Sequence, residues 1–239
     1  MNRKRQNVWL ACAAFISLAV GTLQSPAADA WQAALEQMPL GTNVAQLNRT
    51  NCVKIMLGAF QSNDVVRALI FMPGATDEFY MFRRAKAAIT NQSPSLFDAV
   101  AALTNQTLIR VTFHPPLLLL HTDEDPLEPL AAIKNAKAAA KLRDKKFVSH
   151  AIYNDRDWDF LLPILTESCG VEFQPVLYSE QSFHFYRHSF AAWNLNGWEA
   201  LEAIALAGKT KFRVERSRVV FEKDTRVRTL PKFDHWPTD

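Results

Sequence analysis

The chain predicts an α+β fold of two small domains, the second built as β-α-β-β-α-β-β with two helices packed on small sheets. Three observations lead there. Short apolar runs bounded by turn residues alternate with stretches whose apolar residues recur at helical spacing. The composition is 49% hydrophobic and 11% aromatic, that of a packed interior rather than of a disordered segment. The first thirty residues form a segment of their own, so 209 of the 239 residues remain to fold, enough for one large or two small domains.

That first segment has a basic start (Arg3, Lys4, Arg5), an apolar run from Val8 to Leu23, and a small-residue close at Ser25-Pro-Ala-Ala-Asp-Ala30. This is the layout of a cleaved secretory signal peptide, with cleavage after Ala30. The apolar run is shorter than the roughly 20 residues a spanning helix needs, and Gly21 interrupts it. The reading places the protein in the periplasm or outside the cell. The segment holds three of the 27 basic and one of the 24 acidic residues, leaving 24 basic against 23 acidic. A generally nucleic-acid-attracting surface is therefore not implied, and no transmembrane segment is expected after cleavage.

Residues 31–125 read as the N-terminal α+β domain. Trp31-Gln-Ala-Ala-Leu-Glu36 begins it as a short helix. Cys52–Phe60 and Val65–Met72 are expected as strands on either side of Gln61-Ser-Asn-Asp64. A helix should start near Thr76, with Asp77 and Glu78 in its first turn, Arg83, Arg84 and Lys86 towards its end, and Phe79, Phe82 and Ile89 on its buried side. Ser95 caps the next helix with Asp98 reaching back, and Leu96, Val100 and Leu103 share one face. Leu108–Phe113 and Leu117–His121 are strands on either side of a double proline. Asp123–Pro129 breaks the pattern. Residues 126–146 read as a helical linker, rich in Ala and in lysines (Lys134, Lys137, Lys141, Lys145, Lys146) that are solubilising on an exposed helix.

Residues 147–223 form the second domain. Phe147–Tyr153 is a strand. Trp158, Leu161, Leu162, Leu165 and Cys169 recur at helical spacing until Gly170 stops the helix. Val171–Val176 and Ser182–Trp193 are strands. Asn196 caps a second helix with Glu199 in the reciprocal position, and Trp198, Leu201 and Ala205 make its inner face before Gly208. Lys211–Glu215 and Arg218–Lys223 close as a hairpin. Residues 224–239 read as a loosely attached tail.

This order resembles the short N-terminal domain shared by secretins and TonB-dependent receptors. Leu161, Leu165 and Gly170 match that family's first helix, Ala200-Leu201 with Gly208 its second, and Phe212–Phe221 its hairpin. Residues 95–121 carry a fainter echo of the same order, ending at Leu103–Thr107 without the family's glycine. The resemblance implies a periplasmic protein-binding module, here without the pore, barrel or plug it usually serves. It transfers no individual functional residue.

The residues themselves offer little chemistry. There is no Gly-x-Ser-x-Gly elbow or HExxH pattern, and seven glycines leave few tight turns. His184, Tyr186 and His188 alternate onto one face of the Ser182–Trp193 strand, so burying Phe183 and Phe185 on the other would leave the histidines at solvent. Asp155, Asp157 and Asp159 have the alternate spacing of a calcium loop but lack its glycine and final glutamate, which favours helix capping. Cys52 and Cys169 read as separate buried thiols, with a disulfide as the alternative. No cofactor or metal is expected.

The functional expectation is a non-enzymatic docking or assembly module of the cell envelope with an envelope protein as partner. Its interaction edge is expected at Ser182, His184, Tyr186 and His188, or at the closing hairpin, by strand addition. Two alternatives stay open. One is an envelope-polymer hydrolase with its site between the domains, marked by His114, His121, His184 or His188 beside carboxylates. The other is a small-ligand carrier using Trp158, Trp193 and Trp198.

Overall fold

The structure, a computed structural model, describes residues 26–41, 44–48, 50–72, 86–122, 125–128, 130–146, 151–175 and 187–223. Its elements are α1 (Pro26–Glu36), β1 (Gln46–Leu47), α2 (Cys52–Ala59), β2 (Ala68–Phe71), β3 (Ala87–Ala88), α3 (Leu96–Gln106), β4 (Arg110–His114), β5 (Leu117–His121), β6 (Ala131–Ile133), α4 (Ala136–Asp144), β7 (Ala151–Arg156), α5 (Trp158–Cys169), β8 (Glu172–Pro175), β9 (His188–Ala192), α6 (Gly197–Ala207), β10 (Thr210–Val214) and β11 (Arg218–Lys223). The fold is α+β, and from β7 onward the order is the expected β-α-β-β-α-β-β.

The strands do not divide where the two domains were expected to part. A five-stranded sheet runs β4-β5-β2-β9-β7, joining three strands of the first half to two of the second. At its centre β2 pairs parallel with β5 and antiparallel with β9. A second sheet runs β6-β10-β11-β8, and β1 pairs with β3 alone. The five-stranded sheet is covered on both faces, which is why Leu117–Leu120 can be a continuous apolar run rather than an alternating one. Leu69, Phe71, Leu118, Leu120 and Ala191 face a core shared with α1, α2 and α3. Ala68, Ile70, Leu117, Leu119, Phe190 and Ala192 face a second core with α4, α5, α6 and the four-stranded sheet.

Helix α6 lies between the sheets, touching β2 and β9 on one side and β10 on the other. Such a helix must be apolar all round. Accordingly Ala200, Leu201, Ala203, Ile204, Ala205, Leu206 and Ala207 are all buried. Its start is the expected capping box: Asn196 accepts from the Glu199 amide at 2.9 Å and Glu199 accepts from the Asn196 amide at 2.9 Å. Ser95 and Asp98 cap α3 in the same way. Trp158 at the head of α5 joins the layers, its ring 4.4 Å from that of His188 in β9 and 4.6 Å from that of Phe221 in β11.

Two expectations about elements need correction, and a third is tested only at its end. Cys52–Phe60 is a helix, not a strand: Cys52, Met56 and Ala59 point inward while Lys54 and Gly58 are exposed, a helical period hidden in a short apolar run. Residues 131–133 are a strand pairing parallel with β10, so the helix of the linker begins only at Ala136. The helix expected from Thr76 lies mostly outside the described residues. Within them, Ile89 is buried just after β3 rather than in a helix.

Candidate functional site

Only one residue of the expected interaction edge is described, and it lies in an interior strand. Of Ser182, His184, Tyr186 and His188, the first three lie outside the described residues. His188 begins β9, which is held between β2 and β7. The closing hairpin is interior too, because β6 borders β10 and β8 borders β11. Strand β2 from the first half borders β9 and β6 from the linker borders β10, and no local pattern in the sequence announces either pairing.

His188 is also fully buried rather than solvent-facing. Its Nδ1 lies 3.2 Å from the Arg156 carbonyl, an acceptor, so Nδ1 carries the hydrogen. Nε2 is then a bare lone pair with no hydrogen-bond partner among the described residues. It is packed so closely on Gly208 that a Cβ there would overlap it. Burial pushes the His188 pKa down to about 4, against smaller opposing effects of the Arg156 carbonyl and the Asp157 carboxylate. With one nitrogen bonded and the other walled in by a glycine, this imidazole has no room to ligate a metal.

Several other chemistry-bearing residues are also held in structural contacts. The His121 ring is buried, with Nε2 2.8 Å from the Thr112 hydroxyl. His114 is exposed at the end of β4. Its influence on Glu202 is outweighed by burial, which raises that carboxyl's pKa. Glu202 accepts from the Trp198 indole at 2.8 Å. The Trp198 ring is covered by Phe212 edge-on at 5.3 Å and by the Arg143 guanidinium at 4.5 Å. Glu199 is taken by the cap and by Arg67, whose guanidinium bonds it at 2.6 Å and also donates to the Asn194 carbonyl at 2.9 Å. Of the three tryptophans weighed for a ligand site, Trp158 is core, Trp198 is partly buried, and Trp193 is 42% exposed.

Asp157 caps α5, accepting from the Phe160 amide at 3.2 Å. Among the described residues no group of three His, Cys, Asp or Glu side chains is placed to hold a metal ion. Cys52 and Cys169 are separate buried thiols.

What the structure offers to a partner is the border of the five-stranded sheet at β7. Among the described residues no strand pairs with its outer side, and a strand border without a neighbour presents N–H and C=O groups that a further strand can pair with. The other borders are blunted. Strand β6 is three residues long and followed by Lys134, β8 ends in Pro175, and β4 carries Arg110 and His114 at its ends.

Strand β7 follows β9 from Ala151 to Tyr153, then bulges so that Arg156 meets His188. Asp155 takes a left-handed φ of 59° in the bulge, tied by its amide to the Ser189 hydroxyl at 3.2 Å and by its carboxylate to Arg187 at 2.7 Å. Large apolar side chains flank this border on both faces. Ile152, 46% exposed, lies on the face of α1 to α3, paired across from Ala191. Phe160, 41% exposed, lies on the other face, edge-on to Tyr153 at 5.9 Å with the Arg156 guanidinium 4.7 Å from its ring.

Comparison with known proteins finds no matching family model, no similar curated protein and no similar solved structure.

Proposed function

We propose that the protein is an exported, non-enzymatic module of the cell envelope that docks an envelope protein by strand addition at β7, in the manner expected of the short N-terminal domains of secretins and TonB-dependent receptors. The observation that carries this reading is the open β7 border with Ile152 on one face and Phe160 on the other. An added strand would find backbone partners and two apolar flanks to cover. Export rests on the layout of the first thirty residues, a basic start, an apolar run and a small-residue close. The engaged state of Glu199, Glu202, Trp198 and His188 supports a binding rather than a hydrolytic role.

The test is capture from envelope extract by the mature protein, compared with the variant Ile152→Glu/Phe160→Glu. Recovery of one envelope protein that falls at least about tenfold in the variant, the loss of roughly 1.4 kcal/mol, supports docking at β7. Equal recovery by both proteins sinks it. Recovery by neither, together with turnover of a cell-wall substrate, returns the hydrolase reading.

A further inference from the structure

We propose that the lysine ridge along α4 is a second docking surface, seated on an anionic phospholipid membrane. Between Lys134 and Lys146 the chain places six basic residues against one acid, Asp144, while its whole balance is 27 basic to 24 acidic. The helix turns Ala139 and Leu142 into the core, which leaves Lys137 and Lys141 on the solvent side. Lys134 precedes its cap and Lys146 follows its end, and both are exposed.

Two cations of the group are occupied, Arg143 over Trp198 and Lys145 on the Cys169 carbonyl at 2.7 Å. Lys134, Lys137, Lys141 and Lys146 have no carboxylate partner among the described residues.

A lipid surface is chosen over a soluble polyanion because of the apolar residue set among these lysines. Ile133 closes β6 directly before Lys134 and is 49% exposed, and Ala136 and Ala140 are exposed on the helix that follows. Anionic headgroups over hydrocarbon can satisfy both kinds of side chain at once, whereas a polyanion in water has no layer for the isoleucine. This surface belongs to β6 and α4, away from β7, and does not depend on strand addition there.

The test is sedimentation of the full chain with vesicles of phosphatidylcholine alone and of phosphatidylcholine with phosphatidylglycerol, at low and high salt. Each lysine at an anionic surface contributes about a fivefold gain in partitioning, so Lys137→Ala/Lys141→Ala should bind the phosphatidylglycerol vesicles about 30-fold more weakly. The N-terminal segment is common to both proteins, so the difference between them reports the ridge alone. Ile133→Ser should weaken vesicle binding without changing retention on soluble polyglutamate. Unchanged partitioning of the double lysine variant overturns the proposal. So does an Ile133→Ser variant that binds vesicles like the parent while polyglutamate displaces both from them.

Discussion

Acidification should strike this fold at His188, and the size of the effect follows from where the ring sits. In the unfolded chain the imidazole titrates at its ordinary 6.5, and in the folded chain burial holds it to about 4. Below pH 6.5 the unfolded chain therefore takes up a proton that the folded chain refuses. Stability is lost as the pH falls from 6.5 towards 4 and levels off below. At 1.36 kcal/mol for each tenfold change in proton affinity, the full loss is about 3 kcal/mol, a large share of the roughly 5–15 kcal/mol that holds a typical domain.

Protonation would bring a charge into the space between Trp158 and Gly208, where the Arg156 carbonyl and the Asp157 carboxylate favour it less than burial disfavours it. Urea unfolding of the parent and of His188→Gln should be followed between pH 7 and about pH 4. The parent should lose about 3 kcal/mol more than the variant across that window. Only the slopes are compared, so a general weakening of the variant does not disturb the reading. Parallel slopes would refute the assignment of a buried neutral imidazole.

Two further outcomes follow from the packing. Gly197→Ala would place a Cβ 2.7 Å from the Leu142 carbonyl, a backbone atom that cannot step aside, and should cost about 1–3 kcal/mol. The matched change Gly58→Ala, in α2 with nothing within 4 Å, should instead gain about 0.5–1 kcal/mol. Thermal melting that moves both variants the same way contradicts this. Burial pushes the Cys52 thiol up to about 12 and raises that of Cys169, so both should resist alkylation in the native protein at pH 8 and react fully in denaturant. A Cys52–Cys169 disulfide peptide in a non-reducing digest would be the contrary result.

Local signals in the sequence carried further than long-range ones. Both capping boxes, the Gly170 stop with its φ of 61°, and the hairpin of β10 and β11 could be read directly, because each depends on a few neighbouring residues. The helix at Cys52–Ala59 was hidden because eight mostly apolar residues fit either period, and only the burial of Cys52 and Met56 against exposed Lys54 decides between them. The open border at β7 was not legible at all. A strand was expected at Phe147–Tyr153, of which Ala151–Tyr153 falls in β7, but its place outside β9 depends on β9 crossing to pair with β2, more than a hundred residues earlier in the chain. The burial of His188 was missed for the same reason, since its surroundings come from Trp158 and Gly208 on two different helices' ends.

The late position of β9 also bears on how the chain is made. Until residue 192 has left the ribosome, β2 carries β5 on one side and bare backbone on the other, and Ala68–Phe71 has no lid on that flank. Closure across so long a contour is slow compared with hairpin formation. A nascent or truncated chain lacking β9 is thus the species most exposed to clumping with its own copies, and the one a holdase chaperone would have most reason to shield.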